Sequence, residues 1–361
     1  MGLPTIPELV LPEAVVSAPE EQPKPSKKIS THGNAGERIT EKNAELLAFA
    51  AAFPAADHEA FSVLSYRDAS RFAPGGELPT IGGTDKRLEK LVRLGALQRF
   101  RNTATRATHY GITKRGVGAA WSFGYPMNYV DYMAGLSLKR LYHYRMIAHV
   151  GAQLISPEGF FKDSLGIEPV ALEQLVSEKM MRATYSPVRE MLKKKAGKDG
   201  VADFGRWRNA MLSSAEKAAS EGRLQWSDIV ESKPALLTIG TPLREGSKLK
   251  AVHQPDLAVV LDGDRTDRNA KNILMEVEIS KKSWADYDSI LATFKREFEL
   301  GLIYERGVYF YIDNDVPSLL KRVDATGYNL IRDGKLTLLP IRDRNGVPLK
   351  NNNRVPLGGL S

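Results

Sequence analysis

Residues 84–113, TDKRLEKLVRLGALQRFRNTATRATHYGIT, decide the N-terminal fold. Leu88, Leu91 and Val92 recur at helical spacing and point inward, while Lys86, Arg87, Lys90 and Arg93 fall on the outer side. Thr84 is a candidate N-cap and Gly95 a stop. Beyond Gly95, ALQRF reads as a strand, RNTATRAT as a polar basic loop, and HYGIT as a returning strand ahead of a helix that opens near Thr113.

Working outward, ITEKNAELLAFAAAF (39–53) sets Leu46, Leu47, Ala50 and Phe53 on one helical face, with Thr40 as N-cap and Pro54 beyond the end. A short helix after Asp57 uses Ala60, Phe61 and Leu64, and a Pro/Gly-rich loop (Pro74, Gly75, Gly76, Pro79, Gly82, Gly83) leads into the third helix. Helix, helix, helix, strand, loop, strand is the order of a winged helix-turn-helix, expected over 39–125. Such a unit places its third helix in the major groove and its loop on the phosphate backbone. Between Asp85 and Arg115, nine Lys or Arg (86, 87, 90, 93, 99, 101, 106, 114, 115) stand against two acids, Asp85 and Glu89. A solvated surface helix mixes its signs more evenly. The expected partner is therefore DNA, double-stranded. Lys86, Arg87, Lys90 and Arg93 are the candidates on the recognition helix, with Arg99, Arg101 and Arg106 on the wing. A winged helix used for protein contacts is the alternative, since fold does not dictate ligand.

The chain's 361 residues, 42% of them hydrophobic, exceed one domain's usual size, and its formal charge of +8 favours a polyanionic partner. With no cysteine, disulfides, thiolate metal sites and cysteine nucleophiles are excluded. The opening MGLPTIPELVLPEAVV has neither a basic leader nor an unbroken apolar run, and no later segment reaches the roughly 20 apolar residues of a membrane span. The expectation is a cytoplasmic protein with no membrane partner. No GKS or GKT occurs, which argues against a Walker-type ATPase. Residues 1–38 read as a disordered tail, 126–235 as a helical segment partly belonging to the C-terminal domain, 236–350 as an α/β domain, and 351–361 as a frayed end. The overall expectation is a mixed α/β (α+β) chain. MLKKKAGKDG (191–200) reads as a flexible basic break. His143 and His149, on the helix LSLKRLYHYRMIAHVGAQLI, could be ligands or acid-base groups, although a helical histidine more often packs or caps.

The C-terminal part carries AVHQPDLAVVLDGD (251–264) and ILMEVEISKKS (273–283), two strands joined by a polar turn. Asp256 enters the first strand, and Glu276 and Glu278 alternate on one face of the second. Three converging carboxylates require a cation, and oxygen ligands suit Mg²⁺, so Asp256, Glu276 and Glu278 are the candidate metal ligands. Such an ion activates water and steadies charge on a phosphodiester, with a nearby Lys assisting. By strand alternation Lys282 shares the face of both glutamates and Lys281 points away. The competing reading is a sheet-edge strand with solvated charges. Glu231 is a further candidate acid. In SWADYDSILATFKREFELGL, the repeat of Trp284, Tyr287, Ile290, Leu291, Phe294 and Phe298 is a core stripe, with Lys295 and Arg296 as DNA contacts on the other side. GVYFYID and GKLTLLPIRD read as further strands.

These residues resemble the replication-relaxation family, a winged helix joined to a PD-(D/E)xK nuclease-like domain. The likeness covers most of 40–315 and rests on LEKLVRLGAL, YGITKRG, LYHYRMIAH and the pairing of HQPDLAVVL with EVEISKKS. It implies that Asp256 is the motif aspartate, Glu276 the second acid, Glu278 a further carboxylate and Lys282 the downstream lysine, together the catalytic set. The chain departs from the motif at Glu278, where a lysine is usual, and at Ser280. The implied function is DNA binding in a plasmid, phage or other mobile element, linked to replication, relaxation or mobilisation, with a Mg²⁺-dependent endonuclease or its relic at the C-terminal end. The alternative is a sequence-specific transcription or replication regulator whose inactive nuclease-like domain dimerises or recruits a partner; a homodimer is the assembly considered.

Overall fold

The computed structural model describes residues 38–64, 81–101, 108–125, 130, 132–133, 137–196, 204–221, 234–240, 252–261, 272–301 and 303–349. The chain is a mixed α/β protein. Helices α1 (Glu41–Ala52), α2 (His58–Leu64) and α3 (Ile81–Arg93) come first, with the short strand β1 (Ala56–Asp57) between the first two. Strands β2 (Leu97–Arg101) and β3 (Thr108–Ile112) form an antiparallel pair, and β1 adds to the other edge of β3. Helix α4 (Lys114–Ser122) starts where the Thr113 hydroxyl accepts the Gly116 N–H, as an N-cap does.

Two expectations here need correction. Thr84 is not a cap: α3 begins a turn earlier, and Thr84 is buried inside it. Thr84, Leu88 and Leu91 continue one apolar stripe at i, i+4 and i+7, and that burial outweighs the backbone entropy of Gly82 and Gly83. Thr40 does occupy the N-cap position of α1, but its side chain makes no cap bond.

Helix α5 (Leu138–Ile155) is the wall shared by the two halves. Its Ile147, Val150 and Leu154 belong to one continuous apolar cluster that runs from Phe49 and Phe61 to Met275 and Phe310 of the large sheet. Close approach is possible because Gly151 has no side chain: a Cβ there would lie 2.8 Å from the Phe53 ring. After the short helix α6 (Lys162–Leu165) come strand β4 (Leu175–Ser177) and helices α7 (Glu178–Ala196) and α8 (Phe204–Ser220). Of the expected break, 191–196 is thus helix, and 197–200 lie outside the described residues. Met191 and Leu192 are partly buried, and three lysines in the last turn suit the negative end of the helix dipole.

Strands β5 (Ile239–Gly240) and β6 (Val252–His253) form a small ribbon. Strands β7 (Leu257–Val259) and β8 (Asn272–Glu278), helix α9 (Trp284–Leu300), strand β9 (Tyr304–Tyr311), helix α10 (Asp315–Asp324) and strand β10 (Leu336–Pro340) complete the order. The five-stranded sheet runs β10-β9-β8-β7-β4. β7 is antiparallel to β4 and β8, whereas β8, β9 and β10 are parallel. β8 is therefore central and all seven of its residues are buried, so the edge-strand reading is wrong. Alternation sends Ile273, Met275 and Val277 toward α5, and Leu274, Glu276 and Glu278 toward α9. Trp284 leaves the expected core stripe: it is 39% exposed at the start of α9 and lies under Arg322. Tyr287, Leu291 and Phe294 are fully buried. No described helix is long and apolar enough to cross a membrane.

Candidate acid site on the central sheet

Pro255 sets up the site. Leu257 pairs with Met275 in the antiparallel β7–β8 register, so the next places would set Asp256 against Glu276 and Pro255 against Val277. Proline has no N–H to give Val277, and the ladder stops. Side chains take its place. Asp256 Oδ2 accepts the Val277 N–H at 2.8 Å, and His143 Nε2 lies 3.0 Å from the Val277 carbonyl and 3.2 Å from Asp256 Oδ2. A carbonyl can only accept, so Nε2 carries the proton and donates to both oxygens.

The other two acids have their own partners. Glu276 Oε1 lies 2.7 Å from His253 Nε2 of β6. Glu278 Oε2 takes an ion pair from Lys282 and a 3.0 Å hydrogen bond from the Tyr309 hydroxyl of β9. Burial disfavours the Glu276 carboxylate and raises its pKa against the pull of His253, with Asp256 adding to the rise. His253 and Lys282 are held above their ordinary values even though burial opposes their charge, because Glu276 and Glu278 face them. Burial, joined by the Glu278 charge, lifts the Tyr309 phenol well above its usual range, so it stays protonated and can donate.

Burial also opposes the charge on His143, but the Asp256 hydrogen bond and charge, with Glu178 nearby, push its pKa up to about 9. Because the folded value lies above the ordinary 6.5, the stability gained is complete below that pH and is lost as pH rises through 9. Urea midpoints of wild type and His143→Gln, which keeps a donor without the charge, should differ most at pH 6 and converge above pH 9. A constant difference would show that the imidazole is neutral in the folded chain.

Asp256, Glu276, Glu278 and Lys282 thus share one end of two neighbouring central strands, as their spacing predicts. The three carboxylates do not form a closed ligand group. Among the described residues, the group whose ligand atoms lie within 4.8 Å of one another is Asp57, Glu59 and His149, not these three carboxylates. The reason is electrostatic: three buried carboxylates repel, and each has turned to its own donor. Lys281 points away to Asp315, as alternation requires. Glu231 and Arg106 lie outside the described residues. Lys86, Arg93, Arg99 and Arg101 are exposed, and Arg87 and Lys90 half-buried. Sequence reasoning passed over His253 and Tyr309; the nearest signal was the histidine in HQPD, three places before Asp256.

Asp57, Glu59 and His149 form a group that could hold a metal ion; His149 is a ligand candidate from the sequence, whereas Asp57 and Glu59 carry no such signal there. Asp57 is 1% exposed. Its Oδ1 accepts the Ala60 N–H at the start of α2 and faces His149 Nε2 at 2.9 Å, and its Oδ2 accepts Arg145 Nε at 2.5 Å. Burial works against its charge, yet His149 and Arg145 hold it far below the ordinary carboxylate range. The guanidinium already serves one oxygen, so an ion there would compete with Arg145. No family model, curated protein or solved structure matches the chain.

Proposed function

We propose that the chain is a DNA-binding protein of a plasmid, phage or other mobile element, of the replication-relaxation kind and linked to replication, relaxation or mobilisation. Its N-terminal unit is a winged helix that binds duplex DNA, and its five-stranded sheet is a PD-(D/E)xK nuclease-like domain. One observation carries the second half. Asp256 and Glu276 each stand one place beyond the last β7–β8 pair, Leu257 with Met275, with Glu278 and Lys282 beside them, and Lys282 is held above its ordinary value by the charges of all three acids. Lys282 thereby reaches the site from four residues beyond Glu278, where the usual motif lysine is missing. The first half is supported by the order of α1, α2, α3, β2 and β3 and by the exposed cations on α3 and β2.

Asp256 and Glu276 are the oxygen donors suited to Mg²⁺, which when bound would polarise the phosphodiester and lower the pKa of an attacking water. His143 and His253 hold these carboxylates and carry protons at Nε2, and they must release them before the oxygens can ligate. With Mg²⁺ or Mn²⁺ present, the purified protein is expected to nick or cut DNA, and Asp256→Ala or Glu276→Ala to abolish cutting while leaving DNA affinity within a factor of about two. Intact DNA under both metals would end the enzymatic reading. A second reading, a DNA-binding regulator with an inactive nuclease-like domain, is favoured by the same ion pairs, since every acid is balanced without a metal. A discrete, metal-independent footprint with no cleavage would support it.

A further inference from the structure

Helix α7 starts at the acid site and leads away from it. The Glu178 N–H donates to the Asp256 carbonyl at 3.0 Å, and Lys179 lines a small cleft with Asp256, Tyr144 and Phe53. Along the helix Lys179, Arg182, Ser186, Arg189 and Lys193 follow at steps of three and four, which at 100° per residue keeps them within roughly an 80° arc. On the opposite side Met181 is buried and Met180 packs in the sheet's second apolar cluster, while Tyr185 packs on Phe204. Arg182, Ser186 and Arg189 are exposed. The helix as a whole carries six cations against Glu178 and Glu190.

A solvated amphipathic helix would neutralise such a stripe with local pairs, and two are present, Arg182 with Glu178 and Lys193 with Glu190. Those pairs leave the stripe net positive, and its inner end lies in the cleft that holds Asp256. From Lys179 to Lys193 the rise is about 21 Å at 1.5 Å per residue, long enough to lie along several consecutive phosphates of one strand. We propose that this face of α7 is a second nucleic-acid contact, a track that seats a sugar-phosphate backbone and leads it to the acid site. It rests on the DNA-binding reading, but not on cleavage.

The test is salt-dependent DNA binding by full-length protein. Arg189→Glu/Lys193→Glu should lower the slope of log K against log salt by about 2, near one per lost phosphate contact. Lys321→Glu/Arg332→Glu removes the same charge from exposed positions off the helix and should leave the slope unchanged. Arg189→Gln/Lys193→Gln should lower it by about the same amount, so the conclusion stands if the reversal variant does not fold. Equal effects of the stripe and control pairs, or none from either, overturn the track. So does a stripe variant that loses binding to phosphatidylserine vesicles but keeps the wild-type DNA slope. Failure of the wild type to bind DNA at low salt would instead remove the DNA-binding reading itself, and the track with it.

Discussion

Asp57→Ala is expected to cost about 3–5 kcal/mol of folding stability, the range found when one partner of a buried ion pair is removed. The variant strands the Arg145 guanidinium, whose side chain is only 19% exposed, and His149 at 3%. It also leaves the first turn of α2 without its cap, which alone costs about 1 kcal/mol. Asp57 belongs to β1, which pairs with β3, and both of its ion-pair partners belong to α5. Losing the carboxylate therefore loosens the N-terminal unit from the shared wall. A urea titration followed by two probes, one in each half, should show the transitions separating and the m-value falling. A midpoint shift worth less than 1 kcal/mol would mean that the carboxylate is not the tie. The same titration tests ion binding at Asp57, Glu59 and His149. A metal held there would raise the wild-type midpoint with its concentration, and the alanine variant would not respond.

Arg208→Met is expected to destabilise by a similar amount, about 3–5 kcal/mol. Arg208 on α8 makes a two-point bond to Glu297 on α9, at 2.8 and 2.7 Å, and its Nε donates to the Leu236 carbonyl. Both side chains are buried, 3% and 4% exposed. Methionine fills much of the volume but leaves Glu297 charged and alone against the sheet. The double variant Arg208→Met/Glu297→Leu should recover most of the loss, because no unpaired charge remains and apolar replacements of buried pairs are often neutral. The difference between single and double variants, read from denaturant midpoints, measures the stranded charge. A double variant no more stable than the single would place the loss in the Leu236 bond instead.

Where one surface of an element is buried and the other wet, the period can make the element legible in the chain. Leu88 and Leu91 announce α3 by period alone, whereas α1 is buried on nearly all sides and shows in the apolar run from Leu46 to Phe53. The alternation of Glu276, Val277 and Glu278 places both acids on one face of β8. The position of β8 was not legible. Seven buried residues that include two glutamates look the same, in one dimension, as an exposed edge, and only pairing on both sides decides between them. The exposure of Trp284 has a related reason: period says which side of a helix a residue takes, not whether the neighbouring layer extends far enough to cover it.

By itself the sequence determined the helices α1 and α3, the strands β2, β3, β7 and β8, the proline that ends the β7–β8 ladder, and the arrival of Asp256, Glu276 and Glu278 at one end of the sheet. Only the tertiary structure decided what those acids touch. His143 is 113 positions from Asp256, His149 is 92 from Asp57, and Arg208 is 89 from Glu297. Contacts at such separations leave no periodic trace, since local propensity acts over a few residues, whereas a buried charge is satisfied by whatever donor the packing of distant elements brings beside it.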